Sequence, residues 1–212
     1  MAAVSPWFFT HYGPDSWNKN WIYRADDWLF VRRWEQLIKM RNSVDFVQVI
    51  SWNASFQGAQ PNSQAWVDGY PHEAWLRLNS FFSRAFKDGI YPRIVKDVIF
   101  VWARPHPKGA IANEGVPRPE KWELTDDLMW IVVFATAPAT IKIQTSNSKA
   151  CTRHVDIEAG VIKLSSPLEI GGGIKVVMLR DDLVMAECTA IGYRFEERPG
   201  VHNFNAFVAA SE

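Results

Sequence analysis

The sequence predicts an α/β portion followed by an all-β portion, an expectation that rests on three observations. Short apolar runs alternate with helical patterns up to Pro92, and β-rich runs separated by turn residues fill the remainder. With 48% hydrophobic and 22% charged residues, the composition is that of an ordinary folded chain. The 212 residues hold one large or two modest domains, divided here as 1–92 and 93–212.

In the first part, residues 7–9 and 46–52 read as short buried strands, each followed by a helical pattern. The first helix is expected to begin at Asp26 or Asp27, either of which has the side chain to cap it. It carries Trp28, Leu29, Val31, Trp34, Leu37 and Ile38 at three- and four-residue spacing and stops near Asn42. The second starts at Pro71, buries Trp75, Leu78, Phe82 and Phe86, and ends at Gly89. Parallel strands with their helices belong to larger sheets or barrels, and a complete eight-unit barrel takes about 250 residues. The first part is therefore either a compact variant or a piece of a larger fold.

After Pro92, strands are expected at residues 98–102, 130–134, 140–144, 154–157, 174–179, 183–187 and 193–196. Gly171-Gly172-Gly173 and Asp181-Asp182 are the clearest turns, and residues 104–119 form a proline-rich loop. This run of short strands predicts an antiparallel β-sandwich.

Charge and termini exclude several function classes. Lys plus Arg and Asp plus Glu both number 23, so no net field draws nucleic acid or anionic lipid, and neither partner is expected. The longest apolar run, residues 128–137, falls well short of the roughly 20 residues of a membrane-spanning helix. Residues 1–6 carry no cationic stretch ahead of a long apolar run, so no signal peptide is read in this chain. Cys151 and Cys188 make no disulfide framework, and whether they pair stays open, as does oligomeric state.

Tryptophans dominate the first seventy residues: Trp7, Trp17, Trp21, Trp28, Trp34, Trp52 and Trp66 stand among Asn, Asp, His and Tyr. A flat ring covers the apolar face of a pyranose while neighbouring polar groups read its hydroxyls, so the pattern points to carbohydrate. At any single position, burial in the core is the commoner explanation for such a ring. Trp28, Trp34 and Trp75 fall on helical stripes and are assigned to the core, as are Trp102 and Trp130 within strands. Trp17 and Trp21 fall in a loop, which favours a sugar platform.

Ser5-Pro6-Trp7-Phe8-Phe9-Thr10-His11-Tyr12-Gly13, continuing through Pro14-Asp15-Ser16-Trp17-Asn18-Lys19-Asn20-Trp21, resembles the fungal α-1,3-glucanases, or mutanases, of glycoside hydrolase family 71. Trp34-Glu35-Gln36, Val49-Ile50-Ser51-Trp52-Asn53, Gly58-Ala59-Gln60-Pro61 and Trp66-Val67-Asp68-Gly69-Tyr70-Pro71-His72 agree in the same order. The resemblance implies a secreted or cell-wall enzyme with a (β/α)8 barrel followed by a β-sandwich, acting on α-1,3-glucan without metal or cofactor. It implies that this chain holds the last βα units of the barrel, a partial barrel, and the sandwich.

Barrel active sites lie at the C-terminal ends of strands. On the resemblance, Trp7, His11, Tyr12, Asp15, Trp17, Trp52 and Asn53 are the expected substrate-binding residues. One departure bears on catalysis. The family pattern continues from Trp-Asn with Asp-Tyr-Gly-Glu-Ser, whereas here Asn53 is followed by Ala54-Ser55-Phe56-Gln57. Glycoside hydrolysis normally uses two carboxyl groups across the scissile bond, so no catalytic residue is assigned in this chain. The sequence reading is an α-1,3-glucan hydrolase by descent, truncated and weakly active or inactive, with a non-catalytic carbohydrate-binding remnant as the alternative.

Overall fold

The computed structural model describes residues 1–22, 26–50, 70, 72–147 and 152–212. At its centre lies the antiparallel sheet β12-β5-β6-β9, built from β5 (Val98–Ala103), β6 (Leu128–Ala135), β9 (Gly160–Pro167) and β12 (Phe207–Ala210). A second antiparallel sheet, β11-β10-β7-β8, contains β7 (Ala139–Gln144), β8 (Thr152–Ile157), β10 (Lys175–Arg180) and β11 (Leu183–Thr189). The sandwich expected from the strand-rich half is therefore present.

Every residue of β5 is buried, as is all of β6 after Leu128, which explains why both read as unbroken apolar runs rather than alternating ones. Ile99, Val101, Met129, Ile131 and Val133 face the second sheet and pack with Ile141, Ile143, Val176, Met178 and Cys188. The intervening residues Phe100, Trp102, Trp130, Val132 and Phe134 point the other way, into a separate core made with the helices.

That helical layer consists of α1 (Leu29–Lys39) and α2 (Ala74–Asp88). Phe30, Val31, Trp34, Leu37 and Ile38 form the buried stripe of α1, and Trp75, Leu78, Phe82 and Ala85 that of α2. Phe86 packs at the margin. Gly89, in the left-handed region at φ 75°, closes α2 where the sequence placed its end.

The start of α1 differs from expectation. Neither Asp26 nor Asp27 caps it with a side chain, because Asp26 is turned inward and Asp27 pairs with Arg32. Trp28 occupies the cap position in left-handed backbone, its indole N–H donating to the carbonyls of Ile131 (3.0 Å) and Leu164 (3.2 Å). The tertiary bonds override the local cap. The described part of α2 begins at Ala74; Pro71 lies outside the described residues.

The parallel pair is realised by β1 (Ala2–Val4) against β4 (Val47–Val49), not by residues 7–9. Instead, β2 (Phe9–His11) turns back through β3 (Asn20–Ile22) as an antiparallel hairpin. No barrel closes among the described residues. Residues 193–196 are not a strand either. Tyr193 and Phe195 point inward with an exposed residue between them, the alternation that suggested a strand, yet their backbone bonds go to Gly172 and Ala190 rather than along a ladder. Four strands went unread: the three-residue β1 and β3, the latter holding Trp21 that was expected in a loop, β9, which mixes apolar and polar residues, and β12, whose second half is only alanine.

Candidate functional site

The β2–β3 hairpin presents the residues of the tryptophan-rich opening. Its loop begins with Gly13-Pro14-Asp15-Ser16, where the amides of Ser16 and Asn18 and the Ser16 hydroxyl all donate to the Gly13 carbonyl. This knot lifts Trp17 to 66% exposure, with its ring lying against Tyr12 at 5.2 Å and 31°. Tyr12 is itself buried, while Asp15 is exposed beside them. An indole held on a phenol in this way offers one open, stiff face to a ligand.

Trp7 corrects the sequence reading. It is 1% exposed and offers no face to a polymer. Its indole N–H donates to the Phe204 carbonyl at 2.8 Å, and the Arg104 guanidinium lies 4.2 Å from the ring centre. Arg104 in turn donates to Phe204 O at 2.8 Å and pairs with Asp26 at 3.3 Å. Asp26 also accepts from Trp130 Nε1 (3.3 Å) and the Asp126 amide (3.1 Å). The ring belongs to a buried polar network whose cation lies almost a hundred residues away, so no local pattern announced it. Trp52 and Asn53 lie outside the described residues.

At the loop end of the hairpin, His11 stands opposite Asn20 in the register. The Asn20 amide nitrogen donates to Pro117 O at 2.6 Å, which turns its oxygen towards His11 Nδ1 at 2.7 Å. His11 therefore carries a proton on Nδ1 and directs Nε2 at Glu114 Oε2, 3.1 Å away. The other Glu114 oxygen accepts the His202 backbone N–H and lies 2.8 Å from His202 Nδ1. His202 Nε2 accepts from the Ala112 amide at 3.2 Å. Burial holds the His202 ring below the usual histidine range, partly opposed by Glu114.

Glu114 and His202 were not singled out in the sequence. Both sit in loops, at separations of 103 and 191 residues from His11, measured as 114 − 11 and 202 − 11. With only five histidines in the chain, their convergence is legible in three dimensions alone.

Around this cluster lie further rings. Trp21 stacks on Phe8 at 4.4 Å, and Arg118 lies 4.2 Å from the centre of the Trp122 ring. Trp102 and Trp130 are buried in the central sheet, as the strand assignment predicted.

Glycosyl hydrolase family 71 matches residues 1–212, and the chain belongs to that family. The glucan endo-1,3-alpha-glucosidase agn1 of Schizosaccharomyces pombe is 29% identical over 218 residues, covering 98% of this chain and 49% of the relative. A mutanase of Penicillium rubens is 27% identical over 224 residues, covering 100% and 48%. An ascus wall endo-1,3-alpha-glucanase of S. pombe is 28% identical over 180 residues, covering 76% and 40%. The chain thus spans about half the length of these relatives. No solved structure matches it significantly.

Proposed function

We propose that this chain is the C-terminal half of an α-1,3-glucan hydrolase, residues 1–92 being the last βα units of its barrel and residues 93–212 its sandwich. It holds α-1,3-glucan outside the cell or in the cell wall. The single observation that carries this reading is the family match through all 212 residues, alongside relatives named a glucan endo-1,3-alpha-glucosidase and an ascus wall endo-1,3-alpha-glucanase. The hairpin supports it chemically. Trp17 on Tyr12 supplies the flat apolar face, and Asp15 lies close enough in sequence to address hydroxyls at its rim.

The shortened segment after Asn53 favours binding without cleavage. An endo-glucanase needs one carboxyl group to protonate the leaving oxygen and another to attack or activate water. The family's Asp-Tyr-Gly-Glu stretch would supply acidic groups at the end of a barrel strand, and Ala54-Ser55-Phe56-Gln57 supplies none.

The test is a pull-down on insoluble α-1,3-glucan, with reducing-sugar release followed in parallel and β-1,3-glucan as the control polymer. Retention on α-1,3-glucan with little or no sugar released is expected. Trp17→Ala should weaken retention about 5- to 100-fold, the equivalent of about 1–3 kcal/mol for losing one stacking ring. Equal retention of wild type on both polymers, or none on either, would remove the reading.

A further inference from the structure

We propose that His11, Glu114 and His202 form a binding site for a divalent transition-metal ion of the zinc class. The three side chains each offer one ligand atom, and these atoms all lie within 4.8 Å of one another. Zinc holds imidazole nitrogen and carboxylate oxygen at about 2.0–2.2 Å, so its ligands in a tetrahedral arrangement are spaced by about 3.3–3.5 Å. The contacts of 3.1 Å from His11 Nε2 to Oε2 and 2.8 Å from His202 Nδ1 to Oε1 of Glu114 must open by about 0.2–0.7 Å to reach that spacing and admit the ion. Two imidazoles and a carboxylate suit zinc and its neighbours better than magnesium or calcium, which prefer all-oxygen sets.

Two observations besides the clustering point to a cation. The first concerns His11. Asn20, locked by its own bond to Pro117, takes the proton on Nδ1, so a neutral His11 ring turns the lone pair of Nε2 towards a carboxylate oxygen. A ligating histidine whose other nitrogen donates to a fixed carbonyl is the usual outer-shell arrangement of a metal site. The second concerns His202. It is buried, and its Nδ1 lies 2.8 Å from Glu114 without the alignment of a well-directed hydrogen bond. A nitrogen and an oxygen held close without a shared proton direction fit a common third atom.

Ligation has one structural consequence. With Nδ1 on the metal, the His202 ring proton moves to Nε2, where the Ala112 amide now donates. Ala112 must withdraw, so metal binding shifts the loop that carries Glu114. A direct His11–Glu114 hydrogen bond with no ion is the competing account of the same contact, and the experiment separates the two.

The tag-free protein, stripped with chelator, is titrated with zinc chloride at neutral pH by calorimetry, with the melting temperature read in parallel. One equivalent bound at micromolar affinity or tighter, a raised melting temperature and a displaced Ala112 amide resonance are the expected result. Glu114→Gln and His202→Asn should each weaken binding at least tenfold, while His154→Ala, on the exposed strand β8, should leave it unchanged. Cobalt substitution gives a second reading on the unmutated chain, through the intense visible bands of a low-coordinate site. Failure of the wild type to take up one equivalent overturns the proposal even if the variants do not fold. So does uptake that survives both ligand substitutions.

Discussion

Arg104 shows how a single side chain can reassign its neighbours. Fully enclosed, it is held against Trp7 and Phe204 and answered by the Asp26 carboxylate. Burial lowers its pKa, and Asp26 raises it again. Removing one partner of such a pair strands the other charge, so Asp26→Ala should cost about 3–5 kcal/mol in urea denaturation. Replacing Asp26 and Arg104 together by apolar residues should cost much less. His106 is a second enclosed group of this kind. Burial holds its ring down to about 4 from an ordinary 6.5, so the folded state keeps it neutral. The unfolded chain takes up a proton as pH falls through 6.5 while the folded chain does not. Stability is therefore lost between about pH 6.5 and 4, and the penalty is complete below that. The full effect is about 3 kcal/mol, and His106→Gln should flatten that slope in urea midpoints measured at pH 7 and pH 4.5. None of these roles was legible beforehand, because a sequence shows Arg104 only as the start of a proline-rich loop.

Elements were easier to read than residues wherever one physical rule dominated. The doubly buried strands β5 and β6 appear as apolar runs because both their faces are covered. The β10–β11 hairpin appears as Asp181-Asp182 because its two turn residues take positive φ, 47° and 62°, which aspartate tolerates. Competing demands made other elements illegible. The N-terminus of α1 was misplaced because Asp26 serves a distant arginine, and β12 was missed because its pairing with β5, not its own composition, makes it a strand. Glycines allow a test at this scale. A Cβ on Gly172 would sit 2.0 Å from the backbone oxygen of Thr145, whereas one on Gly89 would meet only the end of the Arg41 side chain. Gly89→Ala should cost about 1–2 kcal/mol for its left-handed backbone, with Arg41 swinging aside. Gly172→Ala should cost more despite its ordinary φ, because the backbone of another turn must move. Thermal denaturation of the two variants ranks them.

For the whole molecule, the decisive arrangement is a central sheet with helices on one face and a second sheet on the other. Composition and periodicity foretold both kinds of layer but not their stacking, which depends on pairings between residues far apart in sequence. The parallel pair β1–β4 lies at the edge of this stack, Val4 buried in the core on the helical side while Phe46, Val49 and Ile50 are exposed. Parallel sheets are normally covered on both faces, and an open apolar edge invites other chains. Concentration-dependent association is therefore expected in light scattering, and Val49→Lys should reduce it without lowering the melting temperature. The alternating side chains of β5 and β6 have a different consequence. The two hydrophobic interiors share these strands as a common wall, Phe100 and Trp130 lining one side, Ile99 and Ile131 the other. If the helices depart, that wall is wetted from behind; if the outer sheet peels away, it is wetted from in front. Loss of either layer weakens the support of the other, which ties the two interiors into one cooperative unit.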